Sequence, residues 1–376
     1  MTESSTGTTR QDTAGPERGR VLLSVRDLAI SFDNEGGSVE AIRGLGFDLH
    51  EGEVVAIVGE SGSGKSVTAR AILGLMARNQ LITAGSIEFS HRSDDGTVTT
   101  KDIAAMPESA IRREICGRRI AMVFQDALTC LDPTMSVGKQ VMEGIQEHFG
   151  LGRREARARA VELLGEVGID DPERRFKQYP HQLSGGMCQR VNIAIALSCN
   201  PDVLICDEPT TALDVTIQLR ILELLKRLQA DRGLSVIFIT HDLGVVATVA
   251  DHVSVMYAGR IIEQGTAEQV FYDPRHPYTW GLLSAMPDLT TDSPELFAIP
   301  GSPASLVNRA PGDPFAPRNP FALEIDFVEE PPLFDVGGGH RVASWLCHPS
   351  APPVEMPAPL RAKIDAMLAP SEGPTP

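Results

Sequence analysis

Hydrophobic positions along the chain follow two periodicities. VLLSVRDLAISF, starting at Val21, has strand character, and GEVVAIVG ending at Gly59 holds an unbroken apolar run, as in a strand buried on both faces. VLIC at 203–206 and SVIFIT at 235–240 repeat that run. Between these two, Ile221, Leu224, Leu225 and Leu228 recur at helical spacing, with Asp214 placed to cap the helix and Gly233 to stop it. Strands alternating with helices predict a mostly parallel α/β sheet. HVSVMYAG followed by RIIEQG, over 252–265, predicts two strands with a tight turn at Gly259.

Residues 126–199 read differently. They contain an Arg-rich amphipathic helix, with Ala160, Leu163, Leu164 and Val167 on one face, and no clear strand. This predicts a helical insertion in the α/β core. Beyond about Thr266 the texture becomes Pro-rich and predicts irregular structure to the end. The expected organisation is a tail over 1–20, a main α/β domain over 21–265, an extension over 266–353 and a tail over 354–376.

Composition narrows the class. The chain has 376 residues, 42% of them hydrophobic, and a formal net charge of −16. No window approaches the ~18 apolar residues of a membrane helix. The first twenty residues are rich in Ser, Thr and Gly without an apolar core, and read as a disordered tail and not a signal peptide. An acidic balance argues against nucleic acid as a partner, because phosphate neutralisation needs clustered Lys and Arg. Six scattered cysteines without a C-x-x-C pair predict reduced thiols in the cytoplasm.

GESGSGKS carries the first chemistry. Gly59, Glu60, Ser61, Gly62, Ser63, Gly64, Lys65 and Ser66 match G-x-x-x-x-G-K-[ST] between a predicted strand and a helical stretch. Backbone N–H groups there form an anion cradle at a helix N-terminus. Lys65 adds a point charge for the β- and γ-phosphates of ATP, and Ser66 a hydroxyl for Mg²⁺. The strand VLIC then delivers Asp207, a further Mg²⁺ ligand, and Glu208, placed to orient or deprotonate an attacking water. A second anion-binding helix entry follows from LSGGMCQR, with Leu183, Ser184, Gly185, Gly186 and Gln189. One γ-phosphate does not need two helix N-termini in one chain. The second is therefore expected to serve a nucleotide held by another subunit.

That octapeptide resembles the signature motif of ABC-transporter ATPases, in which two subunits sandwich two ATP molecules head to tail. The resemblance implies an ABC-type P-loop fold, with a RecA-like core, an antiparallel β subdomain and a helical subdomain at about 126–199. It implies that Gln125 contacts Mg²⁺ and the attacking water, and that His241 contacts the γ-phosphate. Asp214, in Ala212-Leu213-Asp214, would lie at the dimer interface, and Phe32 would stack on adenine. More narrowly, NPDVLICDEPTTALDVTIQLRILELL and RHPYTWGLLSAMP resemble the ATPases of oligopeptide and dipeptide importers (the OppD/DppD type).

Many such relatives bind an iron–sulfur cluster through four cysteines in the extension. Here those places hold Asp313, Asn319, Asp326 and Ser344, and iron–sulfur ligation is overwhelmingly by thiolate, so no cluster is expected. GDPFAPRNPFALEIDF resembles the cysteine-free branch. Phe315, Phe321, Phe327 and Trp345 are expected to form a small apolar core instead. Asp313, Asp326, His340 and His348 remain an alternative metal set. Truncation near Gly301 is expected to leave the phosphate-loop residues intact.

The resemblance implies ATP hydrolysis coupled to import at the cytoplasmic face of the cell membrane. Implied partners are a second, distinct ATPase subunit, two transmembrane permease subunits and an extracellular peptide-binding protein. Nickel or sugar import, and a soluble ABC ATPase acting on DNA or ribosomes, are the alternatives.

Overall fold

A computed structural model describes residues 19–34, 37–92, 96–211, 213–286, 299–307, 309 and 311–368. Two sheets organise the chain. Strands β1 (Val21–Asn34), β2 (Gly37–His50), β4 (Gln80–Arg92) and β5 (Val98–Asp102) form an antiparallel sheet in the order β2-β1-β4-β5. The larger sheet runs β11-β12-β10-β9-β3-β8-β7-β6. Its parallel half comprises β3 (Val54–Val58), β6 (Ile120–Val123), β7 (Val203–Asp207), β8 (Ser235–Thr240) and β9 (His252–Tyr257). β3, β6, β7 and β8 are buried at every residue, which explains their unbroken apolar sequences.

β10 (Arg260–Thr266) returns antiparallel to β9 across the turn at Ala258 and Gly259. The helix Val215–Arg232 starts at Asp214, whose Oδ1 accepts from Ile217 N at 3.0 Å, and ends at Gly233 with φ 63°. The described residues of 126–199 contain helices and no strand. Arg153–Glu166 buries Ala160, Leu163 and Leu164, and the next residue, Val167, is buried too.

The C-terminal third departs from the expectation of irregular structure. β11 (Phe334–Gly337) and β12 (His340–Val342) join the main sheet, with Glu263 of β10 paired to Val342. The helix Ala358–Leu368 buries Leu360 and Ile364 against the core that also holds Tyr278, Trp280 and Phe315. Residues 354–368, expected to be tail, therefore pack as structure. Proline density misled here, because the prolines flank the two strands, and Pro359 sits in the first turn of the helix, where no intrahelical N–H bond is lost.

The expected aromatic core also changes. Phe315 is buried and meets Tyr257 and Tyr278 edge-on at 5.4 Å, while Phe321 packs on Trp280. Phe327 is 52% exposed and does not belong to it. Trp345 instead packs with Phe334 and His348. Residues 1–18 of the expected tail over 1–20, and Ala212, lie outside the described residues.

Candidate nucleotide site

β3 feeds directly into the loop 59–64 and the helix Lys65–Ile72. Two glycines permit the loop to close. A Cβ on Gly59, at φ 154°, would lie 2.1 Å from Met256 O; one on Gly64, at φ 107°, would lie 2.6 Å from Ile42 Cδ1. Ser61 and Gly62 are exposed at the tip, whereas Ser63 is buried and its Oγ has no protein partner. Lys65 is buried, and its Nζ donates to Gly59 O and Glu60 O at 2.8 and 2.9 Å. Burial pulls its pKa down, against the attraction of Glu208, Asp207 and Glu60.

β7 carries Asp207 and Glu208 to this loop. Ser66 Oγ donates to Asp207 Oδ1 at 3.0 Å. Burial raises the Asp207 pKa, as does the neighbouring Glu208 carboxylate, while the Ser66 hydrogen bond opposes both. Glu208 sits at φ 47°, a left-handed conformation uncommon outside glycine, with its N–H on Ile239 O at 2.9 Å. That backbone turns the carboxylate toward two other segments. Gln125 Nε2 donates to Oε2 at 3.0 Å, and His241 Nδ1 lies 3.2 Å from Oε1. Thr211 Oγ1 also donates to Oε2, at 2.9 Å. Sequence reasoning missed Thr211; its only signal was a hydroxyl three residues after the strand-end glutamate.

The structure thus joins Ser66 to Asp207, and Gln125 and His241 to the adjacent Glu208, through short contacts, with Lys65 near enough for both carboxylates to attract its ammonium. Asp207 and the Ser66 hydroxyl are hard oxygen donors, and two adjacent carboxylates accumulate charge that a divalent cation offsets, so the residues fit Mg²⁺. Phe32 remains half-buried on β1, opposite Val39 and Gln80.

The signature segment is separate from that cluster. Ser184 caps the helix Gly185–Leu197, its Oγ accepting from Met187 N at 3.4 Å. Ser184 and Gly185 are exposed, and Leu183 is half-buried. The Gly185–Gly186 entry lies against Leu213 and Ile217, beside the Asp214 cap. Gln189 lies deeper than its neighbours in the motif. It is 2% exposed, and its Nε2 donates to Pro209 O of its own chain at 2.7 Å. That bond ties the helix Gly185–Leu197 to the residue that follows Glu208.

Glu60 is held from three directions. Its N–H donates to Tyr278 Oη at 2.9 Å, its carbonyl accepts from Lys65, and its carboxylate receives both Arg318 Nη atoms at 2.8 and 2.9 Å. Tyr278 and Arg318 come from the C-terminal third, so the extension touches the phosphate loop. The same region makes a second attachment at Glu330, whose carboxylate accepts from Arg43 of β2 at 2.6 Å and from Arg260 and Arg309.

The four positions set against cluster cysteines in the sequence comparison, Asp313, Asn319, Asp326 and Ser344, are buried and locally satisfied. Asp313, Asn319 and Ser344 each accept from the N–H two residues ahead, on Phe315, Phe321 and Leu346, at 3.0, 3.0 and 3.3 Å. Asp326 accepts from Leu323 N at 2.6 Å. His340 Nε2 lies 2.8 Å from Glu263, while His348 packs on aromatic rings. Among the described residues no group of three or more His, Cys, Asp or Glu side chains is arranged to hold a metal ion.

Known proteins match this architecture. Residues 42–211 match the ABC transporter family, and 262–325 match the oligopeptide/dipeptide transporter C-terminal region. The chain is 54% identical over 345 residues to the oligopeptide transport ATP-binding protein OppD of Bacillus subtilis (strain 168), covering 91% of this chain and 94% of that one. It is 50% identical over 334 residues to the dipeptide transport ATP-binding protein DppD of Lactococcus lactis subsp. cremoris (strain MG1363), covering 89% and 93%. Among solved structures, the dimeric bacterial ABC transporter cassette MJ0796 is similar with a TM-score of 0.56 and 27% identity, over 65% of this chain and 99% of that one. With these matches spanning both the phosphate-binding core and the C-terminal third, the chain belongs to the ABC transporter ATPases, in the family of peptide-transport ATP-binding proteins.

Proposed function

We propose that this chain hydrolyses ATP to energise uptake of oligopeptides or dipeptides across the cytoplasmic membrane. The observation that carries this reading is the 54% identity to OppD of Bacillus subtilis across the cassette and beyond it. Among the described residues no helix is long and apolar enough to cross a membrane, so the translocation path belongs to other chains. We assign those to two transmembrane permease subunits, with an extracellular peptide-binding protein and a second, distinct ATPase. The chain then sits peripherally at the cytoplasmic face.

In this reading the loop 59–66 holds the phosphates through backbone N–H groups and Lys65, and Phe32 lies beside adenine. Ser66, Asp207 and Gln125 would hold Mg²⁺, which supplies charge neutralisation at the phosphates. Glu208 orients and polarises the attacking water as general base. Gln125, Thr211 and His241 fix its two oxygens, so the carboxylate presents one orientation. His241 also senses the γ-phosphate. Leu183, Ser184, Gly185 and Gly186 close on the partner's nucleotide, and Asp214 lies at that interface.

The ATPase domain is assigned to 21–265, with its helical part at about 126–199. The region from 266 onward is assigned as a cluster-free module. Side-chain oxygens that already accept from backbone N–H groups support this, since cluster ligation needs thiolates.

The test is reconstitution in proteoliposomes with the permeases, partner ATPase and binding protein. ATP-dependent accumulation of a labelled peptide is expected. Accumulation of nickel or a sugar in its place would overturn the substrate assignment.

A further inference from the structure

The phosphate loop contains a carboxylate that its proposed ligand repels. Glu60 lies close enough to Lys65 to stabilise the ammonium, so it is also close to where Lys65 meets polyphosphate. An unpaired carboxylate there opposes a polyanion. Arg318 answers that problem from 258 residues away. Its guanidinium forms a two-point fork on Glu60, at 2.8 and 2.9 Å. The arginine is itself fixed: Nε donates to Pro300 O at 2.8 Å, Nη1 to Tyr257 Oη at 3.3 Å, and Cζ lies 5.8 Å from the Tyr257 ring centre. Its side chain is only 6% exposed, so it has little freedom to leave. Tyr278 adds a neutral anchor on the Glu60 N–H.

We propose that Arg318 is a positioning residue for nucleotide binding: it neutralises and holds the Glu60 carboxylate, so that ATP affinity depends on the C-terminal extension. This rests on the reading of 59–66 as the ATP phosphate site. The extension thereby acts on the site without touching the reacting atoms. Loss of Arg318 frees Glu60 to repel the phosphates, an effect on binding and not on chemistry. Removing the Glu60 charge as well abolishes the reason Arg318 is needed.

The experiment is a double-variant cycle on the full chain, with ATP affinity measured by calorimetry and steady-state hydrolysis in the assembled transporter. Arg318→Ala is expected to weaken ATP binding about tenfold, in the range typical of coupling between sites. KM should rise in step, with kcat at saturating ATP largely kept. In the Glu60→Gln background, Arg318→Ala should change affinity less than about threefold. Arg318→Lys, which keeps charge but loses the fork, should fall between, and carries the same test if the alanine variant does not fold. Wild-type affinity in Arg318→Ala, or an equal loss with and without the Glu60 charge, would overturn the proposal; the second outcome would make Arg318 a purely structural support. Lys65→Ala separates the two readings. If it binds ATP normally, the phosphate site itself is misassigned; if it loses binding while Arg318→Ala does not, only the present inference fails.

Discussion

Gln125 and Glu208 are joined by a 3.0 Å hydrogen bond although 83 residues separate them, which links the entry to the helical insertion with the end of β7. The bond holds one oxygen of the proposed general base while His241 faces the other. Glu208→Gln keeps the shape of that arrangement and removes its basicity. It is expected to retain ATP binding while turnover falls by about 100-fold or more, within the range of general-base contributions. Lys65→Ala should lose most binding. Nucleotide titration beside a phosphate-release assay checks both, and full turnover in Glu208→Gln would refute the assignment.

Thr211 supplies a second hydrogen bond to the same oxygen. Thr211→Val preserves side-chain volume and deletes the donor. The expected loss in kcat is about threefold to tenfold, matching one hydrogen bond of about 1 kcal/mol, with ATP affinity retained. Thr211→Ser should restore the rate. Equal rates in all three proteins would remove Thr211 from the site.

Gln189 offers a contrast between site and scaffold. Gln189→Ala leaves Pro209 O without its donor and opens space in a buried position, costing about 1–3 kcal/mol of stability. A lowered melting temperature in the isolated chain is the expected result. An unchanged melt with loss of only partner-dependent hydrolysis would return Gln189 to the intersubunit role.

Asp313 makes the stability of the extension sensitive to pH. Burial pushes its pKa up to about 6 from an ordinary 3.8, with Asp326 adding to the rise and the Phe315 N–H opposing it. The folded chain therefore holds a proton that the unfolded chain has released. This contribution is complete below about pH 4 and is lost as pH rises through about 6. Asp313→Asn keeps an oxygen acceptor for Phe315 N and carries no charge. It should stabilise the chain at pH 8 by about 3 kcal/mol, with no gain at pH 4. Melting curves across that range test it; a pH-independent difference would contradict the linkage.

The extension should also be indifferent to chelators. Protein purified without oxygen is expected to contain no stoichiometric iron, and EDTA should leave its melting temperature unchanged. Elemental analysis with a chelator melt decides this, and a large fall in melting temperature would show a bound metal.

Much of the core was legible because its strands are buried on both faces. VVAIV and SVIFIT admit no polar residue at alternate positions except at the ends, so burial is written directly into them. The Asp214 cap and Gly233 stop were legible for a similar reason, since each performs its task locally. The burial of Gln189 was not legible, because a residue type near a motif does not fix the phase of the helix at that residue. β12 was missed because it has only three residues and takes its stability from β10. The Arg318–Glu60 fork had no local signature at all. It exists only once the chain has brought residues 258 apart into contact.

The pairing of β12 with β10 bears on how the ATPase meets other chains. Without residues 334–342, β10 would be the outermost strand of the sheet, offering unpaired N–H and C=O groups along an apolar segment whose Ile261 and Ile262 are already buried. Open edges of that kind recruit strands from neighbouring molecules. The extension replaces that edge with β11, only four residues long and exposed at three of them, a short edge that offers edge-to-edge stacking little to pair with.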